Sequence, residues 1–311
     1  MVVHRISGQD HPEYLVLHRA ERGAAYAGDW AWTPPSGARL PGEPVVCGAA
    51  RELAEETGIA VVQLRPVDLS GQWAVFAAEV VGDTQVRLDA EHDRFAWLPA
   101  AEAARCCLPD TVAASLRQVA AMPAPRISFR PLSRQDLPDM VAWLHAPHAA
   151  RWFYQDQDLD LPAAERKYGP RIGGSSPTRA HVVLISGQAC GFIQHYHVRD
   201  YPDYHAATGG IDAIGIDYLI GVPQLTGHGL GPQMIWSYLQ QEVFPAWPGV
   251  PFVLASPEVA NQQSIRALEK AGFVRTREIA GHRHDKPELL CTLDRVRIFG
   301  DLGWLDPPGT T

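Results

Sequence analysis

Lysine is nearly missing from this chain: Lys167, Lys270 and Lys286 are its only representatives in 311 residues. Arg, Ala and Pro are plentiful instead, which reads as the bias of a GC-rich coding sequence and not as function. Cysteine is sparse too. Cys47, Cys106, Cys107, Cys190 and Cys291 are odd in number and form no C-x-x-C pair, so neither a disulfide framework nor a zinc site is expected. Vicinal Cys106 and Cys107 read as two helix residues. No apolar run approaches a membrane span, and the opening MVVHRISGQDHPEYLVLHR lacks a secretory apolar core. A reducing cytoplasm is the expected compartment. Net positive charge is also absent. A formal charge of −8 argues against a nucleic-acid partner and against an anionic membrane surface.

What is present is ordinary globular composition, 46% hydrophobic and 20% charged, enough for two cores. Two prolines in Met122-Pro123-Ala124-Pro125 mark an extended connector. The expected division is a first domain at 1–122, a linker at 123–126, a second domain at 127–299 and a frayed tail at 300–311. Both halves read as α/β (α+β). The first has strand-like runs at Tyr14–His18, Trp73–Val80 and Phe95–Leu98, with helices at Val46–Thr57 and Pro109–Ala121. The second alternates strands and helices, with Ser186-Gly187-Gln188 as a hairpin turn.

Residues 51–58 read RELAEETG. On a helix, Glu52, Glu55 and Glu56 share one face, where like charges repel. A hard divalent cation among them offsets that repulsion. Reading outward, Gly37, Glu43 and Arg51 to Ile59 complete G-x5-E-x7-R-E-U-x-E-E-x-G-U, U being bulky aliphatic. That pattern is the Nudix box, and residues 1–122 resemble a Nudix hydrolase. The resemblance implies an α/β/α sandwich and Mg2+ (or Mn2+) held by Glu52, Glu55 and Glu56, with the Gly37 carbonyl and Glu91 as further ligands. Glu55 and Glu56 would also be catalytic, and Arg51 would hold a box carboxylate in place. Gly58 suits a left-handed helix cap, and Leu53 and Ile59 should be core. Glu91 has a second reading as a solvated loop acid. Ser36 stands where a second glycine is common. The implied substrate is of nucleotide type; nucleoside triphosphates, oxidised nucleotides, ADP-ribose and CoA derivatives all stay open. Nudix folds also serve as sensors or inert modules.

After the seam, Gln224-Leu225-Thr226-Gly227-His228-Gly229-Leu230-Gly231 follows a strand and opens a helix. Glycines there let backbone N–H groups approach an anion, and a helix N-terminus favours one. The turn fits Q/R-x-x-G-x-G/A, and Asn261 to Phe273 resembles N-x-x-A-I-x-x-Y-E-K-x-G-F. Together they resemble GCN5-related N-acetyltransferases (GNAT) over residues 126–297. Ala149–Phe153, Gly215–Ile220 and Gly227–Gly231 are most similar to aminoglycoside 6'-N-acetyltransferases, with siderophore-precursor acetyltransferases sharing part of the pattern. The resemblance implies a mixed-sheet acetyltransferase fold, acetyl-CoA as cofactor and a small-molecule amine as acceptor. Asp217 is the expected base, with ammonium binding as its second reading. Leu219 and the turn from Gln224 to Gly231 would hold the cofactor. Asn261 would touch its pantetheine arm or cap its own helix. Trp152, Tyr154, Asp212 and Ser256 are the expected acceptor-side residues. Two departures stand out. Leu268 replaces the family tyrosine that protonates the leaving thiolate. Ser256 stands where aminoglycoside enzymes often carry Asp.

Overall fold

The computed structural model describes residues 1–6, 11–60, 63–153, 160–281 and 286–300. They form two compact units. One comprises Met1–Pro123 and the described residues from Val296 onward; the other is Ala124–Arg295. The expected second domain ran to 299.

In the first unit the strands are β1 (Val2–Ile6), β2 (Pro12–Arg19), β3 (Trp32–Thr33), β4 (Arg65–Asp68), β5 (Val75–Val80) and β6 (His92–Pro99). The helices are α1 (Val45–Thr57), α2 (Ala100–Cys106) and α3 (Asp110–Ala121). The sheet order is β3-β2-β1-β5-β4, with β6 also on β2; β1 and β5 run parallel. Alternation along β2 explains the layering, since successive side chains point to opposite faces. Tyr14 and Val16 pack with Ala103, Leu116 and Val119 of α2 and α3. Leu15 and Leu17 pack with Leu53 of α1 and Ile59 just beyond it. Both faces are therefore covered by helices. Gly58 ends α1 at φ 69°, where its N–H bonds the Ala54 carbonyl.

The second unit contains β7 (Ile127–Pro131), α4 (Leu137–His145), α5 (Pro147–Phe153), α6 (Leu161–Ile172), β8 (Arg179–Ile185), β9 (Gln188–His197), α7 (Pro202–Ala207) and β10 (Ala213–Ile220). It continues with α8 (Leu230–Tyr238), α9 (Phe244–Ala246), β11 (Phe252–Ala255), α10 (Gln262–Lys270), β12 (Val274–Ile279) and β13 (Glu288–Asp294), and α11 (Arg295–Phe299) begins at its edge. The seven strands run β12-β13-β11-β10-β9-β8-β7. Ser186 and Gly187, at φ 50° and 83°, form the two-residue turn between β8 and β9. One pairing is unequal. β10 stays paired with β9 as far as Ile220, but its parallel pairing with β11 covers only Ala213 to Gly215. Beyond Gly215 the two strands part.

A polar chain ties the sheet to α8. Glu242 lies 3.3 Å from His181 Nε2, and Tyr238 Oη lies 2.8 Å from both His181 Nδ1 and His195 Nδ1. One proton assignment satisfies every partner. His181 donates to Glu242, the Tyr238 hydroxyl donates to His181, and His195 Nδ1–H donates to Tyr238. His195 Nε2 is then a buried lone pair with no hydrogen-bond partner among the described residues.

Candidate active sites

Arg51 organises the charged face of α1. Its guanidinium donates to Glu43 Oε1 and Oε2 at 2.8 and 3.0 Å, to Glu52 Oε1 at 2.9 Å, to Glu55 Oε2 at 2.8 Å and to the Ala38 carbonyl at 3.0 Å. Bidentate guanidinium pairing and the i,i+4 contact offset much of the repulsion in RELAEETG. Arg51, with help from the Leu40 amide, pulls the Glu43 carboxyl down to about 2. The repulsion thus has an answer within the chain, besides any metal.

Glu56 is different. It is 4% exposed, and its Oε2 accepts the Ser36 N–H at 2.8 Å. Burial pushes its carboxyl up to about 7, against the opposing pull of the Ser36 amide. His92 is also buried, with Nε2 4.0 Å from Glu56 Oε1 and Nδ1 2.9 Å from Asp89. The loop before α1 lies so close that a Cβ on Gly37 would come within 1.9 Å of Glu52 Oε2. Carboxylate oxygens are what a hard cation takes, and a buried acid gains most from one. Glu52 and Glu56 beside the Gly37 loop therefore fit Mg2+ or Mn2+ in donor chemistry. Among the described residues, however, no three His, Cys, Asp or Glu side chains stand as a ready-made cluster. Glu55 is largely exposed and turned to Arg51. Glu91 is exposed, and the neighbour brought to Glu56 is His92 instead. The exposure of Glu91 fits its second reading, a solvated loop acid.

In the second unit a cavity of about 460 Å³ opens where β10 and β11 part. Its wall includes Asp217, Tyr218 and Leu219, then Thr226, Gly227, Gly229 and Gly231 of the following turn, with Ser256 and Asn261 opposite. Gly227 and Gly229 sit at φ 81° and 76°, a conformation that favours glycine, and Gly229 leads into α8 without a side-chain cap. Uncapped N–H groups at such a turn suit an anion. Gln224, Leu225, His228 and Leu230 do not line the cavity. Gln224 and His228 are exposed, Leu225 closes a short 3-10 turn, and Leu230 is core.

A second cavity, about 330 Å³, is lined by Lys167, Arg171, Gln194 and Asp203 and by the rings of Tyr168, Tyr196, Tyr201 and Tyr204. Phe153 and Asp217 line both cavities. Gln194 donates to Asp217 Oδ2 at 2.7 Å and accepts from Arg171 at 2.6 Å, which fixes how the carboxylate is turned. Tyr204 donates to Ser256 Oγ at 3.1 Å, so Ser256 stands between the two walls. Trp152 lines the larger cavity. Asn261 does too while it caps α10, accepting the Ser264 N–H at 3.2 Å, so both of its expected roles are open to it at once. Asp212 is misplaced by the sequence reading: it is exposed, lies 3.1 Å from His197 Nε2 and lines neither cavity. Tyr154 lies outside the described residues. Leu268 is fully buried. The phenol of the larger cavity belongs to Tyr218, 2.8 Å from Ser264 Oγ, and burial raises its pKa.

One unit thus sets acidic side chains beside a glycine loop, and the other joins two cavities at one carboxylate. Family models agree. A NUDIX domain matches residues 1–121, and an acetyltransferase (GNAT) domain matches residues 133–280, so the chain carries one domain of each kind. Aminoglycoside N(6')-acetyltransferase type 1 from Klebsiella pneumoniae is 24% identical over 151 residues, 48% of this chain and 74% of that protein. Its Serratia marcescens counterpart gives the same figures, 24% over 151 residues. An uncharacterized protein from Bacillus halodurans shares the fold, with TM-score 0.50 and 21% identity over 58% of this chain and 90% of its own. The structure of aminoglycoside acetyltransferase AAC(6')-Ib with coenzyme A and kanamycin is similar at TM-score 0.49 and 23% identity, covering 55% of this chain and 96% of that one. Among the described residues no helix is long and apolar enough to cross a membrane.

Proposed function

We propose that the second unit transfers the acetyl group of acetyl-CoA to a primary amine, with an aminoglycoside 6'-amine as the lead acceptor. The observation that carries this is Asp217 at the junction of two cavities, one ending in a glycine turn suited to a pyrophosphate. The relatives supply the acceptor class. An amine attacks only when neutral, and Asp217, oriented by Gln194, takes its proton. The amine nitrogen bonds the thioester carbonyl carbon and the thiolate leaves. With Leu268 buried, Tyr218 supplies the phenol of the cavity and would donate a hydrogen bond to that thiolate. The turn from Thr226 to Gly231 would hold the pyrophosphate.

We further propose that the first unit hydrolyses a nucleoside-diphosphate-linked substrate. Mg2+ or Mn2+, when bound, would supply Lewis-acid activation of the diphosphate towards water. Glu52 and Glu56 would hold it, and Arg51 keeps Glu52 in place.

One observation favours a second acceptor. Lys167 and Arg171, one helical turn apart on α6, balance Asp203 and Asp217 in the acceptor cavity. A polycation gains little from a cavity without net negative charge. An amine that also carries a carboxylate, as a siderophore precursor does, would fit it better. Free-thiol release from acetyl-CoA with kanamycin, tobramycin, gentamicin, hydroxylysine and polyamines decides. Saturable release with 6'-amino aminoglycosides alone establishes the lead reading. Release with hydroxylysine alone establishes the second, and no release with any amine refutes both.

A further inference from the structure

The loop between β2 and β3 holds a third cavity, about 250 Å³, lined by Arg19, Glu21, Arg22, Tyr26, Asp29 and Trp30. Three features in or beside it stand out. Trp30 sits at φ 65°, a conformation that bulky residues rarely adopt, and still leaves 44% of its surface exposed. Trp73 is 62% exposed, with its ring centroid 6.5 Å from that of Trp30. Arg19 Nε is buried with no hydrogen-bond partner among the described residues. A strained, exposed aromatic beside a second one does nothing for a core, and an orphaned guanidinium nitrogen calls for an acceptor.

The cavity also lies close to the carboxylate helix. Arg19 is the cross-strand partner of His92, and His92 stands 4.0 Å from Glu56. We propose that this cavity takes the base of the nucleotide substrate, stacked on Trp30 with Trp73 at its edge. The inference rests on the nucleotide reading of the first unit. Arg19 donates to the phosphate side, on the way to Glu56. The Asp29 and Glu21 carboxylates accept from base N–H groups. Guanine, which presents its ring N–H and its amino group together to one carboxylate, is the best-matched probe.

The test is calorimetric titration of the full chain with GMP in EDTA, with excess coenzyme A present to fill any nucleotide site in the second unit. Wild type should bind one GMP per chain. Trp30→Gly removes the ring, and glycine is at ease at this φ, so the loop should keep its shape; an unchanged melting curve checks that. That variant should bind about tenfold more weakly or worse, the scale of one stacked base. Trp73→Ala should weaken binding less. Wild-type affinity in Trp30→Gly, or no GMP binding by wild type, would overturn the proposal. The parent reading fails separately. If Glu52→Gln leaves nucleotide hydrolysis at background while GMP binding still depends on Trp30, the base site stands and the hydrolase does not. If hydrolysis depends on Glu52 but neither GMP binding nor KM responds to Trp30→Gly, the hydrolase stands and the base site falls.

Discussion

Acid should destabilise the second unit more than titration of its carboxylates alone would, and His195 is the reason. Burial holds this imidazole down at about 3, against an ordinary 6.5, with lesser contributions from the nearby His181 and Arg179 charges. The proton chain through Tyr238 explains the burial cost. A second proton on His195 would land on Nε2, which has no acceptor. The sign follows from linkage. Below pH 6.5 the unfolded chain binds this proton and the folded one does not, so stability falls as pH falls towards about 3. At 1.36 kcal/mol per unit, the loss between neutrality and pH ~4.5 is about 2 to 3 kcal/mol from this residue alone. Urea unfolding at both pH values, read by hydrogen exchange of peptides from β8 and β9, measures it. His195→Phe serves as reference, because every other titrating group is common to both proteins. The variant should lack about 2 to 3 kcal/mol of the acid loss, whatever its absolute stability. Parallel losses in wild type and variant would refute the reasoning.

Asp217→Asn should lower kcat of acetyl transfer about 100- to 10,000-fold at neutral pH, with acetyl-CoA affinity nearly intact; stopped thiol-release assays and a titration of coenzyme A separate the two. Glu52→Gln or Glu56→Gln should abolish metal-dependent nucleotide hydrolysis, and EDTA should do the same to wild type, as phosphate release would show. Gly37→Ala should remove that activity as well, because its Cβ would fall 1.9 Å from Glu52 Oε2; metal titration should show weaker binding. Leu53→Ala should cost the first unit about 2 to 5 kcal/mol in denaturant unfolding, since Leu53 is fully buried between α1 and β2.

The parts of both sites that a short stretch of sequence encodes were legible in it. The box residues lie on one helix and the turn before it, and the glycine turn joins one strand to one helix. Local spacing therefore reports geometry directly. What was missed depends on distant pairings. Gln194 and Arg171 reach Asp217 only through the register of β9 on β10 and the docking of α6. His92, not Glu91, meets Glu56 because β6 starts at His92 and turns that side chain inward. The run EHD offers no alternation strong enough to say so. Asp212 precedes β10 and turns to His197, a pairing that only the fold reveals. The helices α5, α6 and α7, which wall the acceptor cavity, carry polar and proline-containing sequences without a clean 3.6-residue pattern.

The brief contact between β10 and β11 has a mechanical consequence. A parallel sheet is held by its ladder, and this one has three rungs at its centre. Pro257 follows soon after the last of them and has no N–H to donate, so the two halves cannot zip further along that line. A ligand carrying amides in its arm could take the place of the absent rungs. The second unit would then be a fabric with a slit that its own cofactor stitches shut. The cavity lies where the sheet would first tear, and, if coenzyme A is that ligand, its concentration would set how hard the unit is to pull apart.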